Sequence, residues 1–425
     1  MEAYGKILLI AMPAFLLLVL FEKWYGWRKG KDTVRHMDMI SSLSSGVTNV
    51  TKDVLGLVFA LLTYEWMVKH MALTHIKATW ITYVVAFIAL DFAGYAVHAI
   101  DHKINFFWNS HLVHHSSEEF NLACALRQSV SVFVRLFAIL LLPAALLGVP
   151  SQVIAVVGPL HLFAQFWYHT QHIGKMGFLE KIIVTPSHHR VHHAINKEYI
   201  DKNYGQILII WDKLFGTFQE ELKEAPPVYG ITRPVQTWNP IKINFQHMSL
   251  MIKDAWRTKS WKDKLAVFYK PTGWRPADIE EEYPVFKIEN VYSFEKYDTG
   301  YSKLFLAWTW LQMVVLLLMV SYLFGNIKPI GSPQVFVYGG FIFLFVYALT
   351  ESMDKNPGAY IWEIVKAIGG LGIIFYFGDW FGAERFSPII KYFIAGYLFI
   401  SVAVVTWFSF SEKPIVDRKR NVALG

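Results

Sequence analysis

The chain has 425 residues, of which 54% are hydrophobic, 16% aromatic and only 17% charged. This composition, with a positive mean hydropathy, excludes an ordinary soluble domain and indicates a membrane protein. The formal net charge of +7 is spread over segments that flank apolar runs. Topology signals and anionic lipid headgroups explain that distribution better than nucleic acid does, so no nucleic-acid partner is expected.

Apolar runs long enough to cross about 30 Å of hydrocarbon recur along the chain. They lie at about 7–22, 53–70, 79–97, 130–148, 151–168, 303–325, 334–350, 360–380 and 388–410. The sequence therefore predicts an all-α integral membrane protein with about nine transmembrane helices. The expected parts are a membrane-embedded core (1–225), a cytoplasmic or interfacial segment (226–302), C-terminal transmembrane helices (303–411) and a basic cytoplasmic tail (412–425).

Basic residues on two segments predict the sidedness of the chain. The loop after the first apolar run carries Lys23, Arg28, Lys29, Lys31 and Arg35, and the tail carries Lys413, Arg418, Lys419 and Arg420. Both segments fit the cytoplasm by the positive-inside rule, which puts the N-terminus outside. Counting spans forward brings every histidine-rich segment to the cytoplasmic side. We expect the protein to lie in a bacterial inner membrane or in the membrane of the endoplasmic reticulum.

Histidines form three compact patterns in one part of the chain. Of the 16 histidines, twelve fall between His98 and His193. The patterns are "HAIDH" (His98, His102), "HLVHH" (His111, His114, His115) and "HHRVHH" (His188, His189, His192, His193). Spacings of i, i+3 and i+4 put the members of each pattern on one helix face, where their rings can converge on a common point. Three such clusters delivered to one membrane face predict a metal site.

Ligand counting predicts two metal ions. A closed zinc site uses four ligands and a catalytic one about three, so eight imidazoles exceed the needs of one ion. Imidazole suits iron, copper, nickel and zinc alike, so ligand type does not identify the metal. We expect a pair of irons that activate dioxygen. A pair of zincs that hydrolyse an ester is the alternative.

The three histidine patterns resemble the eight-histidine signature of the fatty acid hydroxylase and sterol desaturase superfamily, whose members are membrane di-metal oxygenases. Within it, further stretches resemble the members that cleave the ether bond of glycerol ether lipids. These stretches are "SSEEFNLACALRQSV", "QFWYHT", "TPSHHRVHH", "YIDKNYGQILIIWDKLFGTFQEE" and "VYGITRPVQTWNPIKINFQHM". Several have no metal-binding role, so chance histidine spacing does not account for them. The resemblance is dense over about residues 85 to 255 and loose beyond.

The resemblance implies a set of metal ligands at matching positions. They are His98, His102, His111, His114, His115, His189, His192 and His193. His169, in "QFWYHT", also has a counterpart and is a candidate ninth ligand or hydrogen-bond partner, and His172 is a candidate to join it. His188 is about one residue out of phase with its box, so a supporting or structural role is expected. Asp91 is the preferred hydrogen-bond partner of a ligand, because a carboxylate inside a membrane span is costly unless it is paired.

The same resemblance implies the chemistry. Two iron ions and O2 as co-substrate would hydroxylate the ether carbon of an alkylglycerol lipid, releasing a fatty aldehyde and a glycerol derivative. Tetrahydrobiopterin would be the reductant, or a ferredoxin or cytochrome where no pterin serves. The long-chain lipid substrate would enter from the bilayer.

Two other classes of function stay open on the sequence. A related di-iron hydroxylase or desaturase would use the same histidines on a fatty acid, sphingoid base, sterol or carotenoid. A non-catalytic metal transporter or sensor would place its ligands near the membrane midplane, whereas these histidines fall at the ends of the predicted spans. The sequence does not define the oligomeric state.

Overall fold

The computed structural model describes residues 2–57, 59–60, 63–131, 134–135 and 137–412. The basic tail predicted at 412–425 lies outside the described residues except for Glu412. In chain order the α-helices are α1 (Glu2–Arg28), α2 (His36–Val54), α3 (Tyr64–Met71), α4 (Trp80–Lys103), α5 (Asn105–His115), α6 (Leu142–Leu146), α7 (Ser151–Phe163), α8 (Pro186–His192), α9 (Ile210–Phe215), α10 (Pro240–Arg257), α11 (Trp261–Tyr269), α12 (Ala277–Glu282), α13 (Lys303–Gly325), α14 (Ile327–Ile330), α15 (Gln334–Met353), α16 (Ala359–Phe377) and α17 (Ile390–Ser411).

The remaining regular structure is short. Five 3-10 turns occupy Cys124–Leu126, Phe137–Leu141, Gly177–Lys181, Val291–Ser293 and Ala383–Arg385 within the described residues. Two strands of two residues each, β1 (Phe59–Ala60) and β2 (Val134–Arg135), pair in parallel, with Phe59 opposite Val134 and Ala60 opposite Arg135. The prediction of an all-α membrane protein is confirmed.

Six of the described helices are long and apolar enough to cross a membrane: α1, α4, α13, α15, α16 and α17. They correspond to six of the nine predicted spans. The predicted spans at 130–148 and 151–168 instead contain a 3-10 turn, the five-residue α6 and the 13-residue α7. Residues 132–133 and 136, within the first of these runs, lie outside the described residues. The count of nine spans is not confirmed.

The predicted span at 53–70 begins where a different long helix ends. Helix α2 (His36–Val54) packs between α13 and α15, and its 19 residues extend over about 28 Å. Ser41 near its start donates to the Trp238 carbonyl, while Leu55 at its end meets Gly339 early in α15. Its many serines and threonines are buried against protein rather than lipid, so a hydropathy window does not detect it.

Contacts between helix ends show which of them lie at the same end of the bundle. Early in α1, Gly5 lies against Phe324 at the end of α13, and Phe305 at the start of α13 packs on Phe408 near the end of α17, with ring centroids 5.0 Å apart. After α15, Asp354 accepts from the Trp238 backbone N–H at 2.7 Å. The ends of α1, α15 and α17 and the start of α2 therefore share one end of the bundle with the polar segment 226–302. The end of α4 lies there too, because Asn105, directly after it, donates to the Val267 carbonyl of that segment. This is the end that carries the histidines.

The polar segment contains two helices that expose aromatic residues beside lysines. Helix α10 starts at the Asn239 cap, whose side chain accepts from the Ile241 and Lys242 backbone N–H groups, and α11 follows after a short turn. Trp256 on α10 is 85% exposed and Trp261 on α11 is 82% exposed. An aromatic and cationic face of this kind is typical of helices that lie in a membrane interface.

A buried ion pair ties the C-terminal helices together. Lys366 on α16 pairs with Glu363, and both side chains are 0% exposed. The Lys366 ammonium also donates to Gln312 Oε1 on α13 at 3.1 Å, and it lies 4.1 Å from the Phe345 ring centroid. This pair links α13, α15 and α16 through a charge that lipid could not solvate.

Removing one partner of this pair should destabilise the bundle strongly. Lys366→Met leaves the Glu363 carboxylate buried without its counter-ion, and we expect a loss of about 3–5 kcal/mol in the free energy of unfolding. The double variant Glu363→Leu with Lys366→Met should recover most of that loss, because no buried charge remains. Thermal unfolding in detergent measures both. A single variant as stable as the parent would contradict the burial of the pair.

Candidate metal centre

Two consecutive helices carry the five histidines of the first two patterns. Helix α4 carries His98 and His102 in its last turns, and α5 carries His111, His114 and His115. Between them Ile104 is extended, with φ −118° and ψ 124°, so α5 folds back on α4. The Asn105 side chain fixes the start of α5 by donating to the carbonyls of Val267 and Trp274 in the polar segment, at 2.9 and 3.1 Å.

The third histidine pattern lies on α8 and faces the first two. Pro186 occupies the first turn of α8 after Thr185, and the helix presents His189 and His192, with His193 as its C-cap. His188 points elsewhere: its Nδ1 faces the Thr185 backbone N–H at 3.4 Å, and its ring packs against Phe218 at 5.5 Å. The phase argument predicted this separation of His188 from its neighbours.

Nine histidines form two adjacent groups. The five-histidine group is His98, His102, His111, His115 and His192, and the four-histidine group is His114, His169, His189 and His193. In each group one ligand atom per residue lies within 4.8 Å of the others. All eight histidines of the three boxes belong to these groups. His169, the candidate ninth ligand, belongs to the four-histidine group.

Hydrogen bonds fix the tautomers so that bare nitrogens face each other. His98 Nδ1 lies 2.8 Å from the Tyr204 carbonyl, and His169 Nδ1 lies 3.1 Å from the Gln165 carbonyl. A carbonyl only accepts, so each Nδ1 carries the hydrogen and each Nε2 presents a lone pair. Those Nε2 atoms lie 2.9 Å from His111 Nε2 and 2.8 Å from His189 Nε2, respectively. Lone pairs that face each other at such short distances repel, and a cation between them would remove that repulsion. Metal sites commonly have this arrangement, with backbone carbonyls that orient the histidine ligands.

Burial keeps the imidazoles neutral, which is the form that binds a metal ion. Desolvation, and then the neighbouring rings His169 and His193, lower the pKa of His189 well below its ordinary value. Desolvation and then His193 do the same to the pKa of His115. Burial lowers the pKa of His169 to about 4.

Aromatic side chains close the four-histidine group. Phe120 packs on His193 at 5.3 Å and on Tyr229 at 5.1 Å, while Tyr168 packs on His189 at 4.4 Å. Phe120, Tyr168 and Tyr229 are all buried. They separate this group from water.

Two other sequence candidates do not join the histidine groups. His172 lies 3.2 Å from Thr33 Oγ1 and packs edge-on against Tyr25. Asp91 is buried, but its partners are His161 Nε2 at 2.8 Å, the backbone N–H groups of Ile207 and Leu208, and Trp211 Nε1. The predicted hydrogen bond from a ligand histidine to Asp91 is therefore not found. Backbone carbonyls take that role, because the loop at 202–209 comes closer to His98 than Asp91 does.

That loop supplies the contacts that sequence reasoning missed. The Tyr204 carbonyl faces His98 and the Lys202 carbonyl faces His192 Nδ1 at 3.0 Å, while Asp201 Oδ1 lies 3.7 Å from His102 Nδ1. Asp201 and Asn203 have positive φ of 59° and 56°, which turns the loop sharply. The run "DKNYG" lies within one of the stretches that resemble the family, which was the only sequence feature that pointed to this loop. Contacts made by backbone carbonyls do not depend on residue type, so the sequence does not predict them.

A cavity of about 270 Å³ opens beside the five-histidine group. His102, His115 and His192 line it, together with Trp108 and Leu112 of α5. Most of its other lining residues come from the polar segment, which therefore covers the histidines, and Asp201 and Ala194 also contribute. A molecule in this cavity would contact the five-histidine group.

Helical spans, clustered histidines and a covering segment define a class of membrane-bound, metal-dependent lipid hydroxylase. The family model described as fatty acid hydroxylase matches residues 83–217, which include both histidine groups. An alkylglycerol monooxygenase from Homo sapiens is 33% identical over 405 residues, covering 93% of this chain and 87% of the relative. The Xenopus tropicalis protein of that name is 33% identical over 361 residues, covering 83% of this chain and 79% of the relative.

The chain belongs to the alkylglycerol monooxygenase family, and it is an oxygen-dependent oxidoreductase. A more distant relative, an ornithine lipid hydroxylase of Rhizobium tropici, is 30% identical over 152 residues, covering 36% of this chain and 46% of the relative. No solved structure matches the chain.

Proposed function

We propose that the chain hydroxylates the ether carbon of alkylglycerol lipids at a pair of iron ions and releases a fatty aldehyde. The facing Nε2 atoms of the two histidine groups carry this proposal, because neutral imidazoles in such numbers suit a pair of transition-metal ions. The five-histidine group would hold one ion and the four-histidine group the other. His172 and Asp91 are not proposed as ligands.

When bound, the ions would supply dioxygen activation and transfer of one oxygen atom to the substrate. The chain's own residues would do the rest. The carbonyls of Tyr204 and Lys202 would hold His98 and His192 in the ligating tautomer, while Phe120 and Tyr168 exclude water. Hydroxylation beside the ether oxygen gives a hemiacetal, which breaks into an aldehyde and a glycerol without a further catalytic group. The second oxygen atom leaves as water, with two electrons from a reductant.

Tetrahydrobiopterin is the proposed reductant, by likeness to the family. The polar segment 226–302 is proposed as a cover over the site at the cytoplasmic face. Support for that side comes from Arg28 and Lys29, since α1 ends at the end of the bundle that carries the histidines. The position of His98 and His102 in the last turns of α4, rather than at its centre, favours an enzyme over a transporter.

One assay tests the reaction. Membranes containing the chain receive a 1-O-alkylglycerol in air, with and without tetrahydrobiopterin, and the aldehyde is measured. Membranes with the His192→Ala variant are the matched control. Pterin-dependent aldehyde in the parent alone supports the proposal. An iron-loaded parent that releases none would contradict it and favour another lipid substrate, or a ferredoxin or cytochrome as electron donor.

A further inference from the structure

The cavity beside the five-histidine group is also lined by a cluster of charged side chains. Arg233, Asp254, Arg275 and Lys287, all from the polar segment, contribute to its wall. Asp254 and Arg275 neutralise each other, because the guanidinium donates twice to the carboxylate at 2.7 and 2.8 Å. Lys287 pairs with Glu280 at 3.2 Å. Arg233 is the remaining cation of the cluster.

Arg233 forms no ion pair in the part of the chain that the structure describes, and the nearby Asp254 carboxylate is already bound by Arg275. No hydrogen bond or ion pair there joins its guanidinium to another described residue, although the residue is half-buried. Burial, and then the neighbouring Arg275, lower the pKa of Arg233 to about 10, so the side chain stays charged at neutral pH. A half-buried, charged guanidinium in a cavity wall favours an anionic ligand.

A second polar atom of the cavity residues also lacks a partner. Gln246 Oε1 is buried and accepts no hydrogen bond among the described residues. Gln246 lines the same cavity on α10, the helix that also contributes Asp254. A buried acceptor without a donor is destabilising, and a ligand hydroxyl that donates to it would remove that penalty. The cavity thus suits a ligand with both a negative charge and a hydroxyl group.

We propose that this cavity binds the headgroup of an anionic ether lipid, with Arg233 contacting a phosphate and Gln246 accepting from a glycerol hydroxyl. The inference rests on the proposed function, because it places the glycerol beside the histidines that line the same cavity. Asp201, which also lines it, lies 3.7 Å from His102 Nδ1 and belongs to the histidine side of the wall. Arg233 is then a specificity-determining residue that selects a phosphorylated over a neutral alkylglycerol.

Equilibrium binding tests the assignment. Iron-loaded protein in phosphatidylcholine nanodiscs, without reductant, is titrated with a radiolabelled 1-O-alkylglycerol 3-phosphate and with the neutral 1-O-alkylglycerol of the same chain. The parent should bind the phosphate lipid about tenfold more tightly, as a charge-assisted hydrogen bond predicts. Arg233→Gln should lose that preference while keeping its affinity for the neutral lipid, and Arg233→Lys should retain part of it.

Control variants and ligands separate the alternatives. Lys253→Gln removes the same charge from an exposed position on α10 and should behave as the parent does. An unchanged preference in Arg233→Gln, or an equal loss in Lys253→Gln, would overturn the assignment. So would equally tight binding of chain-free sn-glycerol 3-phosphate, which would identify a site for soluble phosphate esters. Iron content checks that each variant is folded.

Failure of this inference is distinguishable from failure of the proposed function. Arg233-dependent binding of the phosphate lipid without aldehyde from either lipid would leave the headgroup site standing and reject the reaction. Aldehyde from both lipids, with no effect of Arg233→Gln on binding, would reject the headgroup site alone.

Discussion

Replacing His169 with alanine is expected to remove metal from the four-histidine group and to abolish aldehyde release. His169 Nε2 lies 2.8 Å from His189 Nε2 and 3.4 Å from His114 Nε2, so we propose it as a ligand rather than as an outer partner. Loss of a ligand should exceed the about 10- to 100-fold effect of losing an outer hydrogen bond to a metal-bound histidine. Iron per chain, measured by mass spectrometry of purified protein, and aldehyde release are the two readouts.

His172→Ala is the matched control for this experiment. It removes the same side chain three residues later, but His172 contacts Thr33 and Tyr25 instead of the histidine groups. Its loss should cost about 1 kcal/mol in the free energy of unfolding, as for one hydrogen bond, and leave the iron content unchanged. Two irons per chain in His169→Ala, or equal iron loss in both variants, would show that the ligand assignment is wrong.

The histidine boxes illustrate what the sequence could predict. Proposed ligands that share one helix face have a regular spacing in the sequence. Pairs such as His98 and His102, or His189 and His193, can therefore be predicted from the sequence alone. His169 has no box, because it follows α7 in an irregular stretch; only the family resemblance marked it. The division into groups of five and four was not predicted, since it depends on how α5 and α8 meet in space.

Helix α2 illustrates the opposite case. Hydropathy predicts spans that face lipid, and it found α13 and α17 at nearly their observed bounds. Helix α2 contacts α13 and α15 and has many buried serines and threonines, so its composition resembles that of a soluble segment. Recognising it requires knowledge of its neighbours, which a single sequence does not contain.

For Asp91, the sequence correctly indicated that a carboxylate inside a membrane helix needs hydrogen-bond partners, but it did not identify which groups they are. A carboxylate inside α4 does need partners, and the structure provides four donors: His161 Nε2, Trp211 Nε1 and the backbone N–H groups of Ile207 and Leu208. Two of these are main-chain groups, which carry no residue-type signal. None of the four is a histidine of the two groups, and His98, on the same helix as Asp91, faces the carbonyl of Tyr204 instead.

Asp91→Ala is therefore expected to lower both stability and metal affinity. Four donors around a fully buried carboxylate would lose their acceptor, at about 1 kcal/mol each, so the free energy of unfolding should fall by about 4 kcal/mol. The loop that Asp91 holds at Ile207 also carries the Tyr204 carbonyl, 2.8 Å from His98 Nδ1. A looser carbonyl should weaken metal binding by about 10- to 100-fold, the usual cost of losing such an outer contact.

Asp101→Ala separates this effect from the mere loss of a carboxylate on α4. Asp101 lies ten residues further along the same helix and makes no hydrogen bond or ion pair with other described residues, so its loss should leave the thermal unfolding temperature near that of the parent. Thermal unfolding and metal titration of both variants give the comparison. If Asp91→Ala unfolded at the same temperature as the parent and kept its metal affinity, the other contacts of the loop at 204–208 would be enough to hold it. One of them is Asp212, which accepts from the Tyr204 and Gly205 backbone N–H groups at 2.7 Å each. The expected result would instead show that Asp91, within a membrane helix, holds the loop at 204–208. Through the Tyr204 carbonyl, that loop sets the orientation of His98, which lies two turns further along the same helix.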